Sequence, residues 1–298
     1  MDLLWQLKEL RTPFFDTLFG LITRFGEETT LIVVFCLLFW CVNKRMAYVT
    51  GISFFLSSLI VQGMKIVFQL ARPWVVDPTF QPVGGAVYEA TGYTFPSGHT
   101  QNAAALLGSI GAQVRNKPLK FLLFSIAILV AYSRMYLGVH FLSDVLVSLV
   151  VAFVVISIAL KLVSDGPVSK KRELTNALFL GCVSILVLVI AFVQYQRGVT
   201  TTALVRDSVL AGASALGFAV GMYIERMYIQ FSVQTKNIPL QALKFVIGIA
   251  GVLAAQEGLR ILGSGLIADG IRYFCVVMWI TVVYPLVIRR VFSHDARK

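Results

Sequence analysis

Charge is scarce in this sequence. Asp, Glu, Lys and Arg together make up 14% of its 298 residues, whereas soluble domains average about 25%. Hydrophobic residues account for 57%, and the mean hydropathy is +0.80. This shortage excludes an ordinary soluble protein and predicts a multi-pass membrane protein.

Cysteines and clustered carboxylates are also scarce. The four cysteines show neither zinc-site spacing nor a disulfide framework, and all of them lie in apolar stretches: Cys36, Cys41, Cys182 and Cys275. No group of carboxylates is available to hold Mg²⁺ or Ca²⁺, so we expect no metal and no cofactor. The amino-terminal Met-Asp-Leu-Leu-Trp lacks a basic region, so we expect no cleaved signal peptide.

Basic residues nevertheless outnumber acidic ones, 26 to 15, which gives a net charge of +11. Such a charge can indicate nucleic-acid binding, but here the Lys and Arg residues fall mainly between apolar stretches. That placement is typical of membrane topology signals. We therefore expect membrane lipids, and no nucleic acid, as partners.

Nine apolar runs predict an all-α integral membrane bundle of about nine transmembrane helices, since about 20 residues cross the hydrocarbon layer. They are residues 27–42, 46–70, 98–114, 119–138, 141–163, 174–195, 203–224, 239–262 and 266–288. Before them, residues 1–26 carry Leu and Phe at helical spacing. We predict an amphipathic helix there, kinked at Pro13 and lying in the membrane interface, and the alternative is a tenth helix that crosses the membrane.

Alternate loops collect the positive charge, which predicts that they share the cytoplasmic side. The opposite side, facing outward or into a lumen, then carries the 71–96 loop. The basic residues follow the odd-numbered runs: Lys44 and Arg45; Arg115, Lys117 and Lys120; Lys161, Lys170, Lys171 and Arg172; Arg226 and Lys236; Arg289, Arg290, Arg297 and Lys298.

Three polar clusters interrupt the apolar pattern, and all three map to that outer side. The first joins Lys65 to Arg72-Pro73, seven residues apart and therefore on one helix face. A charge with apolar residues on both sides is costly in a membrane and typical of function. The alternative is a Lys that extends toward the interface beside an interfacial Arg.

The second cluster is Pro96-Ser97-Gly98-His99, which reads as a helix start with Ser97 as its N-cap. Gly98 lets a ligand approach the backbone, and His99 stands in the first turn, where free N–H groups favour an anion. The alternative is a plain capped helix start without a ligand.

The third cluster is Ser133-Arg134, then His140, then Asp144. His140 and Asp144 are four apart, so the carboxylate can reach one ring nitrogen and leave the other basic and nucleophilic. The alternative is a satisfied interfacial His-Asp pair. Taken together, three cations and two histidines suit a phosphoryl group, whose transition state is stabilised by positioned donors.

These residues resemble the type 2 phosphatidic acid phosphatase superfamily, whose pattern is Lys-x6-Arg-Pro, Pro-Ser-Gly-His and Ser-Arg-x5-His-x3-Asp. The chain matches every specified position, with Ser133 opening the third part. The likeness covers roughly residues 27–163. It divides the chain into the amphipathic segment 1–26, a phosphatase core at 27–173 and an additional four-helix membrane region at 174–298.

The resemblance implies roles for the matching residues and a reaction without metal. His140 would attack phosphorus and form a phosphohistidine, Asp144 would orient it, and His99 would protonate the leaving oxygen and then activate water. The phosphoryl oxygens would be bound by Lys65, Arg72, Ser97, Gly98 and Arg134.

Different features of the sequence resemble two different branches of the superfamily. The stretch 38–45 and the short loops resemble bacterial members related to sphingosine phosphate phosphatases, whereas nine spans and Trp74 after Arg-Pro resemble the glucose-6-phosphatase branch. We expect a lipid phosphate or diphosphate substrate, such as phosphatidate, phosphatidylglycerophosphate, a polyprenyl diphosphate or a sphingoid phosphate. The site would face outward from a bacterial cytoplasmic membrane, or a lumen in a eukaryote. The alternatives are a sugar phosphate phosphatase and a non-enzymatic lipid transporter or scaffold.

The region after residue 174 carries weaker signals. Small residues between Ala211 and Gly221 favour close helix packing within the chain, with a homodimer as the alternative. Three charged pairs are interpreted as interfacial ion pairs or as a rim that selects a head group: Arg206–Asp207, Glu257–Arg260 and Asp269–Arg272. Four aromatic residues are interpreted as interfacial anchors or as the walls of an entrance: Trp74, Tyr88, Tyr93 and Tyr136.

Overall fold

The computed structural model describes residues 1–90, 92–163, 169–233 and 237–291, apart from the side chains of residues 88 and 89. Throughout this part of the chain the regular structure is helical. The α-helices are α1 (Asp2–Glu9), α2 (Pro13–Ile22), α3 (Glu28–Leu37), α4 (Lys44–Phe68), α5 (Pro73–Val76), α6 (Ala86–Glu89), α7 (Gly98–Ala103), α8 (Ser109–Gln113), α9 (Lys117–Tyr136), α10 (Leu142–Leu162), α11 (Lys170–Gln196), α12 (Thr202–Ile224), α13 (Ile238–Gly258), α14 (Leu266–Met278) and α15 (Tyr284–Val291).

Short π-helical and 3₁₀ turns extend or join several of these helices. The π-helical turns are Leu38–Val42 after α3, Ala104–Gly108 between α7 and α8, Glu225–Ile229 after α12 and Trp279–Val283 between α14 and α15. The 3₁₀ turns are Thr23–Gly26 after α2 and Leu259–Leu262 after α13. Each of the nine predicted apolar runs therefore lies on a helical stretch.

The all-helical membrane architecture is confirmed, but the count of nine spans is approximate. Among the described residues, 7 helices are long and apolar enough to cross a membrane, and the number rises to 8 if the pair 13–26 and 28–42, bent by 52°, forms one span. The run at 98–114 is not among them, because α7 and α8 with the turn between them are too short.

The amino-terminal segment differs from the prediction of one helix kinked at Pro13. It forms two helices, α1 and α2, with Pro13 at the first position of the second. A proline is well tolerated there because its missing N–H would have no helical partner. Thr12 caps the same helix, since its side chain accepts a hydrogen bond from the Phe15 N–H at 3.3 Å. Pro13 therefore begins a helix instead of bending one.

The largest hydrophobic cluster takes residues from both the predicted core and the region after residue 174. Phe55 packs its ring on Phe218 of α12, with centroids 4.9 Å apart, and Trp40 meets Tyr284 of α15 at 4.8 Å. Aromatic pairs at these separations stabilise a fold beyond the area they bury. The two regions are thus packed into one bundle.

Small residues let α12 run through the middle of this bundle. A Cβ atom built on Gly217 would lie 2.9 Å from the carbonyl oxygen of Phe274, and one on Gly221 would collide with Thr281. Both neighbours belong to the helical stretch that follows residue 266, so the helices approach closely where the glycines lie. The structure supports the interpretation of packing within the chain, and a homodimer stays a prediction.

Charged residues from alternate loops meet at one end of the bundle. Lys44 pairs with Glu225, Arg226 lies 2.9 Å from the carboxylate of Glu173, and Arg289 donates to a carbonyl in the turn after α12. This is the end predicted to be cytoplasmic, and that side assignment stays a prediction. Three residues of the predicted basic loops lie outside the described part of the chain: Lys236, Arg297 and Lys298.

Candidate active site

The three motifs come together at the opposite end of the bundle. Six of the eight predicted site residues line one cavity of about 760 Å³: Lys65, Arg72, Gly98, His99, Arg134 and His140. The other two, Ser97 and Asp144, lie behind its wall and are fully buried. The sequence motifs thus form one site, although they lie on four different helices and two connecting loops.

His140 is held by hydrogen bonds on both sides of its ring. It lies in the turn between α9 and α10, and its Nδ1 atom is 3.3 Å from the Asp144 carboxylate and 3.2 Å from the Thr94 hydroxyl. Thr94 donates its own proton to the same carboxylate oxygen. Both groups can therefore accept the Nδ1 proton, which fixes the orientation of the ring. No sequence motif pointed to Thr94.

The other ring nitrogen of His140 faces Arg72. The guanidinium Nη1 atom lies 3.0 Å from His140 Nε2 and also donates to the Val139 carbonyl at 3.0 Å. Because a guanidinium has only donors, Nε2 must offer its lone pair toward it. The partners thus select the tautomer with the proton on Nδ1 and a lone pair on Nε2, which points toward the cavity cations.

The electrostatic surroundings favour a neutral His140. Burial lowers the pKa of His140 well below its ordinary value, and the nearby Arg72, Arg134 and Lys65 charges lower it further. Each of these effects disfavours the imidazolium form. The imidazole is therefore unprotonated at neutral pH, which is the form that can act as a nucleophile.

The start of α7 is tied to the start of α10. Ser97 caps α7 as predicted, since its hydroxyl accepts hydrogen bonds from the N–H and hydroxyl of Thr100. The Ser97 N–H donates to the Asp144 carbonyl at 3.3 Å, and the Ser148 hydroxyl donates to the Ser97 carbonyl at 2.9 Å. These bonds fix the second motif against the third.

Gly98 faces open space in the cavity. A Cβ atom built there would meet no heavy atom within 4 Å, so the protein itself does not require glycine at this position. A bound group would approach the helix start at this point, as expected from the sequence.

Arg134 is completely buried in the cavity wall, and Lys65 is 7% exposed. The Nη1 atom of Arg134 donates to the Thr23 hydroxyl at 2.8 Å, a contact between residues 111 positions apart. Thr23 lies in the turn that closes the amino-terminal segment. Sequence reasoning missed this partner, because nothing about a single threonine in that segment indicates a role.

The amino-terminal segment forms part of the site instead of lying apart from it. A Cβ atom on Gly26 would be 2.5 Å from the carbonyl oxygen of His99, and Asn102 donates to the Gly26 carbonyl at 2.9 Å. Arg11 donates to the Tyr136 carbonyl at 3.1 Å. The turn before α3 thus lies directly against the first turn of α7.

Comparison with known proteins identifies the family. Residues 45–166 match the PAP2 superfamily, and residues 209–296 match the PAP2 superfamily phosphatase transmembrane extension. The chain is 31% identical over 164 residues to an undecaprenyl-diphosphatase of Sulfolobus acidocaldarius, an alignment that covers 52% of this chain and 74% of that protein. This chain belongs to the PAP2 superfamily.

Two further relatives agree with this assignment. A lipid A 4'-phosphatase of Porphyromonas gingivalis is 29% identical over 52% of this chain and 68% of its own length. A phosphatidylglycerophosphatase B of Bacillus subtilis is 29% identical over 46% of this chain and 70% of its own length. The family resemblance seen in the motifs is confirmed, and the protein is an integral membrane hydrolase of phosphoric esters.

The aromatic residues near the superfamily motifs have different surroundings. Tyr136 is 1% exposed and donates its hydroxyl to Asp16 of α2 at 2.9 Å, so it binds the amino-terminal segment and is neither a membrane anchor nor an entrance wall. Trp74 lies beneath the Arg72 guanidinium at 5.8 Å, and Tyr93 donates to the Gln69 side chain. The side chain of Tyr88 lies outside the described part of the chain.

The charged pairs of the extension are arranged differently from the prediction in one case. Arg206 reaches across to Asp269 of α14 at 2.7 Å instead of pairing with its neighbour Asp207. Asp269 also binds Arg272, and Glu257 pairs with Arg260 at 3.0 Å, as expected from their spacing. Asp207 instead lines the same cavity as the motif residues.

Proposed function

We propose that this chain is a metal-independent lipid phosphatase of the PAP2 superfamily that works through a phosphohistidine on His140. The observation that carries the proposal is the pair of opposed contacts on the His140 ring. Asp144 and Thr94 hold the Nδ1 side, while Nε2 faces the guanidinium of Arg72. A nucleophile oriented on one side and aimed at fixed cations on the other suits phosphoryl transfer.

In the first step, a substrate phosphoryl group would lie on Lys65, Arg72 and Arg134 with the helix start at Ser97 and Gly98. His140 Nε2 would form a bond to phosphorus as the bond to the leaving oxygen breaks. His99 would give a proton to that oxygen, which releases the dephosphorylated product. Burial and the cavity cations lower the pKa of His99 to about 2, so the negative charge of the bound phosphoryl group would have to stabilise the protonated form of His99. Asp144 would stabilise the charge that forms on the imidazole.

In the second step, water would attack the phosphohistidine. His99, now neutral, would take a proton from the water as the phosphorus–nitrogen bond breaks. Inorganic phosphate would leave, and both histidines would return to their starting forms. The cations supply the charge stabilisation, so no metal ion enters either step.

We infer that the substrate is a lipid monophosphate or diphosphate. The three relatives are named for undecaprenyl diphosphate, lipid A and phosphatidylglycerophosphate, which share a phosphoryl group on a long hydrocarbon anchor. The phosphatase core would be residues 27–173. The site would face the outer side of a bacterial cytoplasmic membrane, because the basic loops gather at the opposite end of the bundle.

The test is phosphate release by purified protein in detergent with EDTA, for wild type and His140→Ala. The panel holds phosphatidate, phosphatidylglycerophosphate, undecaprenyl diphosphate, sphingosine phosphate and glucose 6-phosphate. We expect release from at least one lipid, and none from the variant although it elutes and melts like wild type. Near-wild-type activity of the variant would remove His140 as nucleophile. Release from the sugar phosphate alone would replace the lipid by a soluble substrate.

A further inference from the structure

The cavity does not end at the phosphate-binding residues. On α4 its lining residues recur at helical spacing from Lys65 down to Thr50. The rise of an α-helix makes this stretch about 22 Å long. That depth exceeds half of the ~30 Å hydrocarbon layer and is more than a phosphoryl group or a single sugar needs.

The wall opposite α4 belongs to the transmembrane extension. From α12 the cavity is lined by Asp207, Leu210, Ala211, Ser214 and Phe218. Further lining residues lie between Ile249 and Gln256 on α13, and between Tyr273 and Ile280 on α14 and the π-helical turn after it. The cavity thus lies between the motif-bearing helices and the extension, and both are needed to enclose it.

The lining changes character with depth. Beside the catalytic residues it carries polar side chains, among them Glu28, Gln62 and Asp207. Further from the site it becomes apolar, with Phe55, Phe218, Val252, Val276 and Ile280. A gradient from cations through polar groups to hydrocarbon complements an amphiphile that has a phosphoryl head and an apolar tail.

The deep end of the cavity has firmly packed walls. Phe218 is fully buried, and its ring presses on Gly51 so closely that any Cβ there would collide with it. The hydroxyl of Thr50 is hydrogen-bonded to Ser109 at 2.8 Å, so this polar atom already has a partner within the protein. A closely packed end whose polar atom already has a protein partner suits a hydrocarbon tail and limits how much of it can enter.

We propose that the extension is the hydrocarbon subsite of the enzyme: α12, α13 and α14 bind the tail of the lipid whose phosphoryl group lies on the cations. The proposal rests on the proposed function and adds a role for the region after residue 174. The occupant is inferred to be the tail of the same lipid, because the apolar part of the cavity is continuous with the part that carries the catalytic residues. Its volume of about 760 Å³ lies in the range of small-ligand sites, ~300–1,000 Å³.

The test narrows the subsite without touching the motifs. Ala211→Trp places a large ring in the cavity wall below Asp207, and Val220→Trp, on an outward position of the same helix that does not line the cavity, is the matched control. Leu253→Trp narrows the same cavity from the side of α13. It serves as a second variant because its site is 61% exposed and tolerates a larger side chain.

The measured quantity is the ratio of kcat/KM for a long-chain lipid to kcat/KM for its short-chain counterpart. The pairs are dioleoyl against dihexanoyl phosphatidate, and undecaprenyl against geranyl diphosphate. We expect Ala211→Trp and Leu253→Trp to lower this ratio by at least about tenfold and Val220→Trp to leave it unchanged, because only the long tail reaches the narrowed wall.

The outcomes separate this inference from the proposed function. If wild type hydrolyses the lipids but both wall variants leave the ratio unchanged, the hydrocarbon subsite lies elsewhere and the inference is wrong. An equal loss on long and short chains in both folded variants would show damage to the phosphate site and would also overturn it. Silence of wild type on every lipid would overturn the proposed function and the occupant with it.

Discussion

At the scale of single residues, the two ring nitrogens of His140 have different partners. Its Nδ1 side contacts Asp144 and Thr94, and its Nε2 side contacts Arg72. The first pair fixes the ring, and the Nε2 side is the one that would attack phosphorus in the proposed reaction. Thr94 donates to the carboxylate and can accept from the ring, and it does not line the cavity, so its contacts position His140.

We predict that Thr94→Val lowers kcat by about 10–100-fold with little change in KM, since a hydrogen bond to a charged group is worth roughly 1.5–3 kcal/mol. Steady-state kinetics on the lipid hydrolysed by wild type measures both constants. Thr94→Ser keeps the hydroxyl and should recover most of the activity. A rise in KM with kcat unchanged would show that Thr94 shapes the phosphate site instead of positioning His140.

At the scale of elements, the amino-terminal helices act as a wall of the site. Gly26 lies against the backbone of His99, Thr23 binds Arg134, and Asp16 accepts a hydrogen bond from Tyr136. These contacts link residues more than 70 positions apart along the chain. The wall therefore sets the position of α7 and of one cation, although it carries none of the superfamily motifs.

Gly26→Ala is expected to reduce kcat/KM strongly, because its methyl group would lie 2.5 Å from the His99 carbonyl and must displace the first turn of α7. A displacement of about 1 Å at a catalytic group can cost 10²-fold in rate. The matched control is Gly20→Ala, where a Cβ meets nothing within 4 Å. Equal activity of the two variants would show that α7 does not depend on this contact.

At the scale of the whole molecule, the motif-bearing helices and the extension enclose one cavity and are joined by an ion pair at the opposite end. The cavity lies between them on the side of the active site, and at the other end Lys44 of α4 pairs with Glu225 in the turn after α12. The Glu225 side chain is fully buried. Breaking such a pair on one side leaves a charge without compensation in a low-dielectric interior.

Lys44→Met is therefore expected to destabilise the protein by about 3–5 kcal/mol. The free energy of unfolding is measured by denaturant titration in mixed detergent micelles. Lys117→Met, at an exposed position on the same end of the bundle, is the control and should change the stability by less than about 0.5 kcal/mol. The double variant Lys44→Met with Glu225→Gln should recover part of the loss, and no recovery would contradict the coupling.

Most of the fold and the grouping of the motif residues could be predicted from the sequence, because both depend on local patterns. Long apolar runs place the membrane helices, since hydrocarbon thickness sets their length. The four-residue spacing of His140 and Asp144 brings them together across the start of α10, and Ser97 caps α7 as its spacing predicts. The count of nine spans was less reliable, because the short stretch at 98–114 resembles the others in composition but not in length.

Other features were decided only by the tertiary structure. Arg206 forms an ion pair with Asp269 of α14, which its position beside Asp207 did not indicate. Thr94 contacts His140, and Thr23 accepts a hydrogen bond from Arg134. The sequence by itself indicated which polar residues gather at the candidate site and determined which stretches must be apolar. Only the packing of distant helices decided which wall closes the site and how deep its cavity runs, because such contacts join residues whose spacing along the chain carries no periodic signal.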